Sequence, residues 1–105
     1  MNIAYQTNIL WNGQFGSKNL NLNTQANWTK GTPKENNFLG FDGIEAQAIA
    51  AQDLHRIQLS KIVLDEIPTY KVMFQKAFPN MNLNDNYQLK VNTALAIAAY
   101  ECTLL

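Results

Sequence analysis

The chain has 105 residues, 47% of them hydrophobic, with eight basic residues balanced by eight acidic ones. That size and content suit one small folded domain with a modest core, and the absence of net charge argues against a positive field for nucleic acid or a polybasic membrane anchor. No stretch approaches the ~20 apolar residues of a membrane-spanning helix, and the N-terminus, Met1 to Gln6, lacks the basic and apolar regions of an export signal.

The first part is polar and turn-rich. Asparagines recur from Asn2 to Asn37, with Gly13, Gly16, Gly31 and Pro33 among them, and such residues favour turns over regular elements. Residues 1–41 are therefore expected to form a long irregular arm, mostly loop. Asn19 to Thr24 alternates polar and apolar residues, but Asn is a poor strand former, so no sheet is implied. Asn19 to Glu35 reads as a surface insertion, with a dedicated binding loop as the alternative. Trp28 stands out there, because a large aromatic normally packs on something.

The boundary falls near Gly40, and helical patterns dominate beyond it. Asp42 is placed to cap a helix over about Ile44 to Leu59, with Glu45 in its first turn and an apolar face of Ile44, Ala48, Ala51, Leu54 and Ile57. A short helical turn is expected through Lys61 to Glu66. Pro68 then suits the first position of a helix carrying Tyr70, Met73, Phe74, Ala77 and Phe78 inward, ended by Pro79. Asn84 or Asp85 caps the last helix, about Asp85 to Leu104, with Tyr87, Val91, Ala94, Leu95, Ala98 and Cys102 on one side. The expected fold is all-α: a small array of about three main helices in residues 42–105, in one domain with the arm. The single Cys102 forms no internal disulfide and does not report the redox compartment; on its helix it reads as a small buried apolar residue.

Four segments recur in an informative order. They are Leu10-Trp11-Asn12-Gly13-Gln14; Glu45-Ala46-Gln47-Ala48; Ile67-Pro68-Thr69-Tyr70 with Phe74, Ala77, Phe78 and Pro79; and Ala96-Ile97-Ala98-Ala99-Tyr100-Glu101 with Thr103 and Leu104. Over nearly its whole length the chain thereby resembles the first, peroxidatic haem domain of the bacterial di-haem cytochrome c peroxidases. The resemblance implies part of a cytochrome c-like haem domain, a fragment of a larger periplasmic enzyme with two c-type haems. That enzyme reduces hydrogen peroxide to water with electrons from a small cytochrome c or a copper protein.

The resemblance also assigns roles. Trp11 matches the family tryptophan that lies between the haems and helps electrons pass, a buried aromatic anchor being the alternative. Gln47 matches the glutamine that orients peroxide. Trp11, Asn12, Gly13, Gln47 and Arg56 would line the cofactor. The family's Gly-Pro break and catalytic glutamate after the glutamine have no counterpart in Ile49 to Leu54; His55 stands near the glutamate's place, and an imidazole is chemically able to carry the same proton. Gln47 and His55 would lie about 12 Å apart along one continuous helix, and a histidine at a helix end is also favourable simply through the helix dipole. Asp53 is a further candidate acid. Cys102 stands where many relatives have Arg.

Covalent haem requires Cys-x-x-Cys-His. Here Cys102 is followed by Thr103, Leu104 and Leu105, and His55 is preceded by Asp53 and Leu54, so both haems would be attached outside these residues. The chain alone is expected to hold no haem or metal and to be inactive, with the remaining parts of the parent as partners. Two other classes stay open: a haem-free helical interaction or structural module descended from the family, and a related di-haem oxidase acting on a protein substrate.

Overall fold

The computed structural model describes residues 8–9, 14–16 and 22–104. The architecture is all-α. Four helices, α1 (Gly43–Leu54), α2 (Lys61–Glu66), α3 (Pro68–Ala77) and α4 (Asn86–Glu101), follow a minimal antiparallel pair, β1 (Asn8–Ile9) with β2 (Phe15–Gly16), and two 3-10 helices, Leu22–Asn27 and Pro33–Leu39. The arm thus carries more local order than its turn-forming composition implies. Side chains supply much of it: Trp28 donates its indole N–H to Thr24 Oγ1 at 3.1 Å and meets Phe38 edge-on, with ring centroids 4.9 Å apart. The packing partner expected for Trp28 is therefore Phe38.

Helix α1 is the hub, packed against α4, the second 3-10 helix and the β pair. Its start follows from Asp42 and Glu45, which form a capping box; the Asp42 amide donates to Glu45 Oε2 at 3.0 Å and so satisfies a backbone group that the helix leaves unpaired. Gly43 opens the helix where the backbone of β2 crosses it. A Cβ at that position would stand 3.1 Å from Phe15 and Gly16 backbone atoms, so the close crossing depends on glycine.

The buried residues of α1 are Gly43, Ile44, Ala46, Ile49, Ala50 and Gln52. Of the expected face only Ile44 belongs to this set; Ala48 and Ala51 are half-buried, and Leu54 and Ile57 are exposed. The physical reason is composition. Alanine and isoleucine surround most of this helix, so periodicity alone does not select a face, and contact with α4 and the arm does. Phe15 reaches this core from the arm. It is 2% exposed and clusters with Ile44, Ala46, Ala50 and Ala98. Asn37, also buried, donates its side-chain amide to the Gln14 carbonyl oxygen at 2.9 Å and ties the second 3-10 helix to the same strand.

Helix α1 stops at Leu54, about a turn earlier than its pattern suggests. His55 is the C-cap, and Arg56 takes a left-handed conformation with φ 54°. The Ile57 amide donates to the Gln52 carbonyl at 2.9 Å and the Arg56 amide to Asp53 at 3.3 Å, the paired reverse bonds of a Schellman ending. An arginine holds the position that glycine usually fills there.

The last helix is capped by Asp85, whose Oδ1 accepts the Tyr87 and Gln88 amides at 2.9 and 3.3 Å. It buries Leu89, Ala94 and Ala98. Tyr87, expected inward, is exposed, because the side of the helix that meets α1 runs through Leu89. Helices α2 and α3 pack on one another, and α2 buries Leu64. Pro68 occupies the start of α3, but that helix buries no residue. Tyr70, Met73 and Ala77 are exposed, and Phe74 and Phe78 are half-buried, stacked on each other at 6.1 Å. The amphipathic pattern of α3 is present; the surface to receive it is not supplied by the described residues.

Two outcomes test this packing. Phe15→Ala is expected to lower stability by about 3–5 kcal/mol, the range for a buried aromatic, and to release the arm, measured by urea unfolding and by proteolysis before Gly40. Arg56→Gly is expected to raise stability by about 0.5–1 kcal/mol, because only the left-handed strain of the arginine is removed, and a higher unfolding midpoint checks it.

Candidate functional site

Among the described residues, a polar joint flanked by two clefts lies where the end of α1 meets the start of α4. Gln52 and Asp53 face α4 on successive positions, and Lys90 answers both. The Lys90 ammonium donates to Asp53 Oδ2 at 2.6 Å. Gln52, only 4% exposed, donates its amide N–H to the Lys90 carbonyl oxygen at 2.8 Å. The amide is buried because its position falls within the stripe that α1 presents to α4, and burial is tolerated because the bond satisfies it.

This pair separates two clefts, and Asp53 and Lys90 line both. One, of about 260 Å³, is bounded by Ile57, Gln58, Leu59, Ser60, Asn86 and Tyr87. The other, of about 410 Å³, lies against the second 3-10 helix and is bounded by Thr32, Pro33, Glu35, Asn36, Ala50 and Leu54. Asp53 is held by its cation, and the surroundings offer amides, a hydroxyl and an aromatic edge. Such an arrangement suits polar binding and positioning.

Three of the sequence-derived candidates, Gln47, His55 and Arg56, fall among the described residues. Trp11, Asn12 and Gly13 lie outside the described residues. Gln47 is half-buried in the second turn of α1, whereas His55 and Arg56 are exposed on its closing turn. The helix between them is continuous to Leu54, and none of the three lines either cleft. His55 owes its place to the C-cap, where its amide donates to the Ala51 carbonyl at 2.9 Å. Cys102 is the C-cap of α4 and half-buried. Among the described residues, no group of three His, Cys, Asp or Glu side chains is placed to hold a metal ion, and none of the helices is long and apolar enough to cross a membrane.

Lys90 and Gln52 escaped the sequence reading. Lys90 sits 37 residues from its carboxylate, beyond the reach of local spacing. Gln52 did carry a signal, as an amide among alanines three residues beyond Ile49, on a helix whose buried face the periodicity left open.

Gln52→Ala removes a buried hydrogen bond and leaves a small void, so a loss of about 1–3 kcal/mol is expected. Asp53→Ala breaks an ion pair whose carboxylate is 64% exposed, with a loss below about 1 kcal/mol. Urea unfolding of the two variants checks that order. Comparison of the chain with protein-family models, with curated proteins and with solved structures finds no match.

Proposed function

We propose that this chain forms part of the peroxidatic half of a di-haem cytochrome c peroxidase, an enzyme that reduces hydrogen peroxide to water with electrons from a small cytochrome c or a copper protein. The observation that carries the reading is the ordered series of sequence landmarks, of which those within the described residues fall at the starts, joints and ends of helices. Glu45 to Ala48 form the first turns of α1. Ile67-Pro68 joins α2 to α3, and Phe78-Pro79 closes α3. Ala96 to Glu101 form the second half of α4. Landmarks at helix starts, joints and ends are what a shared framework needs, since those positions set the lengths and directions of the helices.

In this reading the chain supplies scaffold and pocket wall. The haems are attached to chain outside these residues, because Cys-x-x-Cys-His is absent here. Gln47, in the second turn of α1, is the residue that orients peroxide. His55 takes the proton-transfer role once the parent closes over the end of α1. A second reading, a haem-free helical module that binds another protein, is favoured by the exposure of His55 and Arg56 and by the unburied apolar side of α3.

The parent protein separates the two. A longer chain with Cys-x-x-Cys-His motifs on its flanks, a Soret band and peroxide-dependent oxidation of reduced cytochrome c is the expected result; a parent without haem overturns the reading. In an active parent, His55→Ala is expected to slow turnover by about 10²–10⁴-fold, the usual contribution of a positioned acid–base group. Unchanged turnover would remove His55 from the chemistry while leaving the family assignment in place.

A further inference from the structure

The end of α1 is not held by apolar burial. Its last buried residue is polar, Gln52, and Leu54, His55, Arg56, Ile57 and Gln58 beyond it are all exposed. No glycine or proline stands between Leu54 and Lys61, so neither a proline ring nor a glycine's left-handed freedom fixes the turn locally. Arg56 takes φ 54°, a conformation that costs a residue with a side chain. Helix ends fray, and an ending of this kind persists where something outside the helix holds its last turn.

Gln52 and Asp53 each act twice at that end. Their backbone carbonyls accept the Ile57 and Arg56 amides at 2.9 and 3.3 Å, the two bonds that turn the chain at His55 and Arg56. Their side chains reach across to α4: the Gln52 amide donates to the Lys90 carbonyl oxygen at 2.8 Å, and the Asp53 carboxylate accepts the Lys90 ammonium at 2.6 Å. Lys90 thus holds, through its backbone and its side chain, the two residues whose carbonyls fix the turn.

The two holds differ in strength. The Gln52 bond is buried, where loss of a partner is costly. Asp53 is largely exposed, so its ion pair is screened by solvent and orients more than it holds. The reference point is firm, because Lys90 lies one turn into a helix whose start is capped by Asp85. His55 and Arg56 line neither cleft beside the joint; the joint acts on them through the backbone of the turn.

From this convergence we infer that Gln52 and Lys90 are the positioning residues of the His55–Arg56 corner: by tying the last turn of α1 to α4 they set where the imidazole stands. Their effect on chemistry rests on the peroxidase reading, in which His55 carries the proton. Proton transfer requires the group within hydrogen-bond reach of the reacting atom, and a displacement of about 1 Å caused by a distant change can cost about 10²-fold in rate. Gln52 and Lys90 touch neither peroxide nor haem in this scheme; they act through His55.

Amide hydrogen exchange of the 105-residue chain tests the placement. Gln52→Ala is expected to speed exchange at Arg56 and Ile57 at least ~10-fold relative to Ile49, which is buried in the same helix. Ala98→Gly, two turns beyond Lys90, weakens the fold as a whole and is expected to leave that ratio unchanged. Should Gln52→Ala fail to fold, Lys90→Met carries the comparison: a rise of about threefold in the ratio is expected, with Lys90→Arg restoring the original value because the ion pair is kept. In an active parent, Gln52→Ala is expected to lower kcat by about 10–10²-fold with KM unchanged. An unchanged exchange ratio in Gln52→Ala, or in Lys90→Met where Gln52→Ala does not fold, overturns the positioning role whatever the parent does. So does an unchanged kcat for Gln52→Ala in a parent that His55→Ala slows. Unchanged turnover in His55→Ala, with the exchange ratio raised in Gln52→Ala, overturns the proton-transfer role of His55 and supports the placement of the corner.

Discussion

Burial of α1 beneath both the arm and α4 is the constraint on which the rest of this structure depends. The helix is narrow where it must be: Gly43, Ala46 and Ala50 let backbone and helix approach closely, and Ile44 and Ile49 fill the space that remains. The arm is drawn into the core of α1 by Phe15 and held by the bond from Asn37 to the Gln14 carbonyl. Helix α4 closes the core with Leu89, Ala94 and Ala98, the last in the same cluster as Phe15. A chain of this length buries little surface for its size, so one doubly covered helix carries a large share of its cohesion.

The same economy leaves apolar surface outside. Helix α3 buries nothing, and the second half of α4 shows isoleucine and tyrosine to solvent. The ion pairs on α2 and α3, from Lys61 and Lys71 to Asp65 at 3.5 and 3.6 Å, are exposed and contribute little. Exposed apolar surface of this kind is where a chain can meet something else. The Schellman ending of α1 bears on this directly. By turning the chain at Arg56 it sets His55 and Arg56 on an exposed corner, available to a covering element and apart from the polar joint of Gln52, Asp53 and Lys90.

Much of the helical framework was legible because its signals are local. Asp42 with Glu45, Pro68, and Asp85 each mark a helix start through a side chain or ring that acts within one turn, and Pro79 marks the stop that follows α3. The short helix from Lys61 to Glu66 came out as read. The end of α1 did not, since an arginine in the place of glycine gives no stop signal. Nor did the order in the arm, where Trp28, Thr24 and Phe38 assemble a cluster that no single residue announces. At the candidate site, Asp53 was visible as a carboxylate on a helix, while its partner Lys90 and the buried Gln52 became significant only once α1 and α4 were side by side.

Sequence alone thus settles the all-α class, the helix starts and the absence of a haem-attachment motif, because each depends on neighbours in the chain. Which face of each helix is buried was decided by tertiary packing. Around α1 the alanines and isoleucines offer several nearly equivalent apolar faces, and around α4 they offer two. Hydrophobic burial is non-directional, so the choice among equivalent faces falls to the elements that arrive from far along the chain, Phe15 and the second 3-10 helix for α1, and α1 itself for α4.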